Sequence, residues 1–148
     1  MLQIIEVKNI NKSRWLTKLN HQRVVVGIKN KLLFKYWIFP LGYIFLIFFL
    51  SSLNISQIQK INITYLDKIL HIIEYSILGY LLIRAYNVTI SCSYKKLFLV
   101  ALLTGFLIGG LDEYYQSFLI YRQSSLLDLA ADLIGLVIGI SLFGKIGK

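Results

Sequence analysis

The sequence predicts an all-α polytopic membrane protein of four transmembrane helices with both termini in the cytoplasm, and three observations predict it. The first is composition: 57% of the 148 residues are hydrophobic, mean hydropathy is +0.67, and the chain contains one proline. A soluble domain of this size keeps too much surface to hide so many apolar side chains. A soluble bundle would also need a polar face on each helix, and the sequence offers none. The second observation is four apolar runs of roughly 20 residues, the length a helix needs to cross the hydrocarbon core. The third is where the positive charge lies. Net charge is +9, and half of the 16 Lys and Arg precede the first apolar run: Lys8, Lys12, Arg14, Lys18, Arg23, Lys29, Lys31 and Lys35. That placement is the signature of a cytoplasmic flank facing an anionic leaflet. It argues against a nucleic-acid partner, which the bare charge would otherwise suggest.

The first predicted span, residues 34–53, begins with the interfacial aromatics Tyr36 and Trp37. Pro40 falls in its early turns, where a missing N–H matters least. The second covers 67–86 and the third 95–119; the third starts apolar and turns polar and aromatic from Asp112. The fourth covers 125–143. Short connections rich in Asn, Ser, Thr and Gln separate them, as turn chemistry requires. With the N-terminus inside, thirteen Lys and Arg fall on the cytoplasmic side, and Lys60, Lys68 and Arg122 fall outside. An even number of spans agrees with that asymmetry.

Two segments follow: a basic cytoplasmic arm, 1–32, and a transmembrane domain, 33–144. In the arm, VVVGI at 24–28 has strand character, His21 reads as solvated, and no chemistry is evident. No cleavable signal peptide is expected. The single Cys92 excludes an internal disulfide and reads as an inert loop thiol. No internal repeat or domain linker is visible.

Seven carboxylates are present, and six of them lie within or at the edges of the spans: Asp67, Glu74, Asp112, Glu113, Asp128 and Asp132. An acid at membrane depth costs roughly 2.5–3.5 kcal/mol on insertion scales, so six demand a reason. At about 100° per residue, Asp67, His71, Glu74 and Leu78 share one arc of the second helix. Gly105, Gly109, Asp112 and Gln116 share one on the third, with Glu113 about 60° beyond it. Asp128, Asp132, Gly135 and Gly139 share one on the fourth. Small residues at four-residue spacing let helix backbones approach closely, so the polar groups continuing those stripes should point into the bundle. The predicted topology places all of them at the outer end, beside Arg122. Tyr114, Tyr115, Phe118 and Tyr121 read as an outer aromatic belt.

The strings LDKILHIIEYSILG at 66–79 and LDEYYQSFLIYRQSSLLDLAADLIGLVIG at 111–139 resemble the VanZ-like family. Its pattern runs Asp-Lys-x-x-His then Tyr, Asp-Glu-x-x-Gln, Arg, Asp, and Asn-x-x-Gly. Here Asp67, Lys68, His71 and Tyr75 match, then Asp112, Glu113 and Gln116, then Arg122, Asp128 and Gly135. The resemblance covers residues 35–143. It departs at Asp132, where the family commonly carries Asn, and at Ile120–Tyr121, where Pro-Gly is usual. Glu74 lies outside the pattern. The resemblance implies a multi-pass protein of the bacterial cytoplasmic membrane, associated through its name-giving members with resistance to teicoplanin-type glycopeptides.

The residues leave several uses open. His71, Asp112, Glu113, Gln116, Arg122 and Asp128 could perform acid–base catalysis on an envelope lipid or glycan precursor, since a histidine beside carboxylates of unequal burial supplies a proton donor and acceptor. They could bind such a component without chemistry, shielding an antibiotic target. They could hold a divalent metal, for which a carboxylate-rich set suits Mg, Mn or Ca better than Cu. The alternative is structural: Arg122 pairs with Asp112 or Asp128, Gln116 bridges helices, and the cluster only clasps the bundle. One guanidinium and one imidazole cannot neutralise so many acids, which weighs against the clasp as the whole account.

Overall fold

A computed structural model describes residues 33–53, 64–120 and 125–146. Among these the chain is entirely helical: α1 runs Leu33–Ser51, α2 Thr64–Thr89, α3 Tyr94–Gln116 and α4 Leu126–Ile146. The strand character expected at 24–28, the solvated His21, Arg122 and Tyr121 all lie outside the described residues.

α1, α3 and α4 are long and apolar enough to cross a membrane. α2 has the length, at 26 residues, but Asp67, Lys68, Glu74 and Arg84 interrupt its apolar run. Composition therefore supports three spans where the sequence reading counted four. Pro40 falls in an early turn, as expected, but not where a missing N–H costs least. α1 begins at Leu33, so Pro40 is buried beyond the first turn and lacks the N–H that would bond the Tyr36 carbonyl. The helix continues through it.

The core of the bundle is Ile47 from α1, Tyr75, Leu78, Leu82 and Ile83 from α2, Leu97 and Ala101 from α3, and Leu136 and Ile140 from α4. The outside is apolar too: Phe39, Phe45, Ile73, Leu107, Leu127 and Ile134 are all exposed. A soluble monomer rarely presents so continuous an apolar surface, whereas lipid asks for one.

α2 and α4 run parallel and meet backbone to backbone. A Cβ on Gly139 would fall on the Ser76 carbonyl, and one on Gly135 on the Ile72 carbonyl. A Cβ on Gly79 would lie 2.8 Å from the Leu136 carbonyl oxygen. The glycine stripe of α4 thus serves α2. That of α3 works otherwise: Gly105 receives the Leu136 side chain, and Gly109 the side chains of Asp132 and Tyr75. Gly79, which closes the first family string but lies in neither glycine stripe, completes the α2–α4 seam.

The end of the bundle near the α2–α3 turn is closed by aromatic and hydroxyl groups. The Trp37 indole N–H donates to Thr89 Oγ1 at 2.8 Å, and the Trp37 ring meets Tyr86 edge-on. Tyr86 and Thr104 hydroxyls bond at 2.9 Å, and the Tyr94 hydroxyl donates to the Ile140 carbonyl. Arg84 stacks over the Tyr36 ring. The opposite end carries the acids.

Candidate functional site

Four helix ends build the polar cluster: the start of α2, the end of α3, the start of α4 and, unexpectedly, the end of α1. His71, Asp112, Glu113, Gln116, Asp128 and Asp132 are all buried. Periodicity explains most of this, since Asp112 and Gln116 continue the buried face of Leu97, Ala101, Gly105 and Gly109. Glu113 is buried as well, although its spacing sets it off that arc. A specific bond draws it in: its Oε2 accepts the Ser125 backbone N–H at 2.8 Å. Ser125 caps α4, its Oγ accepting the Leu127 N–H and its carbonyl those of Asp128 and Leu129. Glu113 therefore plays from α3 the part that the glutamate of a capping box plays within one helix.

His71 Nδ1 lies 2.8 Å from Asp132 Oδ1, across the α2–α4 seam. The imidazole stacks over the Tyr75 ring. Gln116 donates through Nε2 to Asp112 Oδ2 at 2.9 Å, and the Ser51 hydroxyl of α1 donates to the same oxygen at 3.1 Å. Ser51 was missed because its neighbours read as an ordinary span terminus. Among the described residues the cation facing Asp128 is Lys68, which also lies 3.6 Å from Asp67. Arg122, which the structural alternative pairs with Asp112 or Asp128, lies outside the described residues. Lys68 matches the Asp-Lys-x-x-His string and falls among the outer charges, but its place in the cluster is not evident from either. Glu74 is half-buried, so of the predicted arc Asp67, His71, Glu74 and Leu78 only His71 and Leu78 are buried.

Two sets of side chains bring ligand-capable atoms within 4.8 Å of one another: Asp67, His71 and Asp128, and His71, Glu113 and Asp132. The second set is buried throughout. Asp132 Oδ2, Glu113 Oε1 and the Tyr75 hydroxyl have no hydrogen-bond partner among the described residues. A cleft of about 200 Å³, lined by Glu113, Tyr114, Ser117, Ser125, Leu126 and Leu129, opens beside the cluster. Around it Tyr114 and Phe118 are exposed and stack edge-on, as an aromatic belt would.

Apolar helices of membrane-crossing length, wrapped around a buried acidic cluster at one end, define a helical membrane protein with a polar interior site. The chain belongs to the VanZ/LLP1 family, whose model matches residues 5–146. That match extends the resemblance carried by the motifs to nearly the whole chain, basic N-terminal segment included. No curated protein and no solved structure matches it.

Proposed function

We propose that the chain is a four-span protein of the bacterial cytoplasmic membrane whose polar cluster forms an outward-facing pocket. There it acts on or shields a cell-envelope component, a lipid or glycan precursor, in a teicoplanin-resistance type of role. In this arrangement residues 1–32 form the cytoplasmic arm and 33–144 the transmembrane domain, with both termini inside. The observation that carries the reading is the burial of His71, Asp112, Glu113, Gln116, Asp128 and Asp132 at one end of the bundle. Charges at membrane depth are expensive and mark function by default. Further support comes from the cleft at Glu113 and from the bias of Lys and Arg toward the predicted inner side. Whether the pocket binds or catalyses turns on whether His71 transfers a proton, and its pairing with Asp132 suits an oriented acid or base.

A second reading rests on an observation of its own. Lys68–Asp128, His71–Asp132, Ser51–Asp112–Gln116 and Ser125–Glu113 each join two helices, as a clasp would. Teicoplanin susceptibility and membrane abundance, measured together, separate the two. Glu113→Gln keeps an acceptor for the Ser125 N–H and removes the charge, so a working pocket loses resistance at unchanged abundance. His71→Asn behaves the same way. Asp132→Asn, which restores the amide common in the family pattern, retains resistance. Under the clasp reading Lys68→Gln and Arg122→Gln are the damaging changes, and resistance falls in proportion to abundance for every variant.

A further inference from the structure

We propose that His71, Glu113 and Asp132 form a binding site for a divalent cation of the Mg²⁺/Mn²⁺ class. The inference rests on the pocket being a working site, and it names the pocket's ligand class. Three side chains from three helices offer one imidazole nitrogen and two carboxylate oxygens within 4.8 Å of one another. Opposite ligands of a cation with bonds of roughly 2.1–2.4 Å stand about 4.2–4.8 Å apart, so the set can close on one ion with little movement. His71 is 6% exposed, Glu113 7% and Asp132 1%.

The second observation is independent of the spacing. Asp132 Oδ2 and Glu113 Oε1 are buried acceptors with no hydrogen-bond partner among the described residues, and buried acceptors are rarely left so. Each belongs to a side chain whose other oxygen is engaged, Asp132 Oδ1 with His71 and Glu113 Oε2 with Ser125. Room for Asp132 Oδ2 exists because position 109 is glycine: a Cβ there would lie 3.0 Å from that oxygen. A dication answers both the unmatched oxygens and the excess negative charge, and the donor set of two carboxylates and one imidazole favours a hard, oxygen-seeking ion over copper. Glu113 also lines the cleft, which leaves the ion a face open to water or to an anionic group of a ligand. Asp132 stands where the family pattern commonly has an amide, so this chain carries one carboxylate more than that pattern. A proton shared between the two carboxylates is the competing account.

The test is a Mn²⁺ titration of the full-length chain, purified in detergent and stripped with chelator, followed by electron paramagnetic resonance. The expected result is one saturable Mn²⁺ per chain with nitrogen coupling from an imidazole. His71→Asn removes the coupling. Glu113→Gln weakens binding by at least the roughly 10- to 100-fold that loss of a supporting partner alone costs; Asp132→Asn, which keeps one oxygen ligand, weakens it less, and Asp67→Asn leaves it unchanged. Absence of saturable binding overturns the site, as does binding without nitrogen coupling. So does binding weakened by Asp67→Asn and untouched by Glu113→Gln, which would move the ion to the other set. If a variant fails to fold, the coupling in the unaltered chain decides. Susceptibility is scored separately. Mn²⁺ binding with resistance unaffected by Glu113→Gln or His71→Asn sustains the ion site and sinks the functional reading. Lost resistance at full abundance without Mn²⁺ binding does the reverse.

Discussion

Glycines show at the residue scale how much one hydrogen's worth of space decides. Gly139 and Gly110 both sit inside helices, and helix propensity alone would favour Ala at each by up to about 1 kcal/mol. Their surroundings differ. A Cβ at Gly110 meets nothing within 4 Å, while one at Gly139 strikes the α2 backbone at Ser76. Backbone cannot swing aside as a side chain can, so Gly139→Ala should force α2 and α4 apart. We expect Gly139→Ala to lower stability by about 1–3 kcal/mol, the usual range for overpacking. Gly110→Ala should leave stability unchanged or slightly raised. Thermal unfolding of the two variants in detergent checks this, and equal midpoints would contradict the packing described. The stripes of α3 and α4 were legible as four-residue spacings, but their partners were not. Spacing says which face of a helix is smooth; it does not say which neighbour uses it.

Ion pairing belongs to the scale of the element, because it ties the start of α2 to the start of α4. Lys68 reaches Asp128, which is buried, while Lys68 itself is about a quarter exposed. Lys68→Gln leaves Asp128 without its cation, at a cost of about 1–3 kcal/mol for a buried group deprived of its partner. Replacing both at once, with Lys68→Met and Asp128→Leu, should recover most of that loss, since apolar pairs substitute well for buried ions. Unfolding midpoints for Lys68→Met, Asp128→Leu and the double variant give the coupling. A double variant as unstable as the sum of the singles would show that the pair does not interact. Charge counting places Lys68 on the outer side without naming its partner, and the structural alternative considers only Arg122 for Asp112 or Asp128. Which cation meets which acid depends on helix register, and loop counting does not contain it.

On the scale of the whole molecule the proposed topology makes its own prediction. The charge asymmetry places Cys92 inside and position 123 outside. In intact cells an impermeant thiol reagent should leave the native chain unlabelled and should label Gln123→Cys in a Cys92→Ser background. The opposite pattern would invert the molecule and put the acidic cluster on the cytoplasmic side. It would also remove the case for an envelope ligand while leaving the fold and the ion-binding set intact. Accessibility at position 92 should be read after detergent permeabilisation as well, because Cys92 is half-buried.

The helical class, the approximate extent of all four helices, and the gathering of His71, Asp112, Gln116, Asp128 and Asp132 toward one end are legible in the sequence. Each of those follows from hydropathy, helical periodicity and alternating direction, which are local properties of the chain. The sequence also carries the family resemblance, through strings that together are specific. Packing alone sets what depends on rotation and register between helices: that α4 lays its glycines on α2, that Lys68 reaches Asp128, and that Ser51 of α1 joins the cluster. It sets, too, that Glu113 turns inward to hold the cap of α4. A residue's neighbours across a helix interface are set by how two surfaces interlock. That information is spread over many side chains at once and is not written at any single spacing.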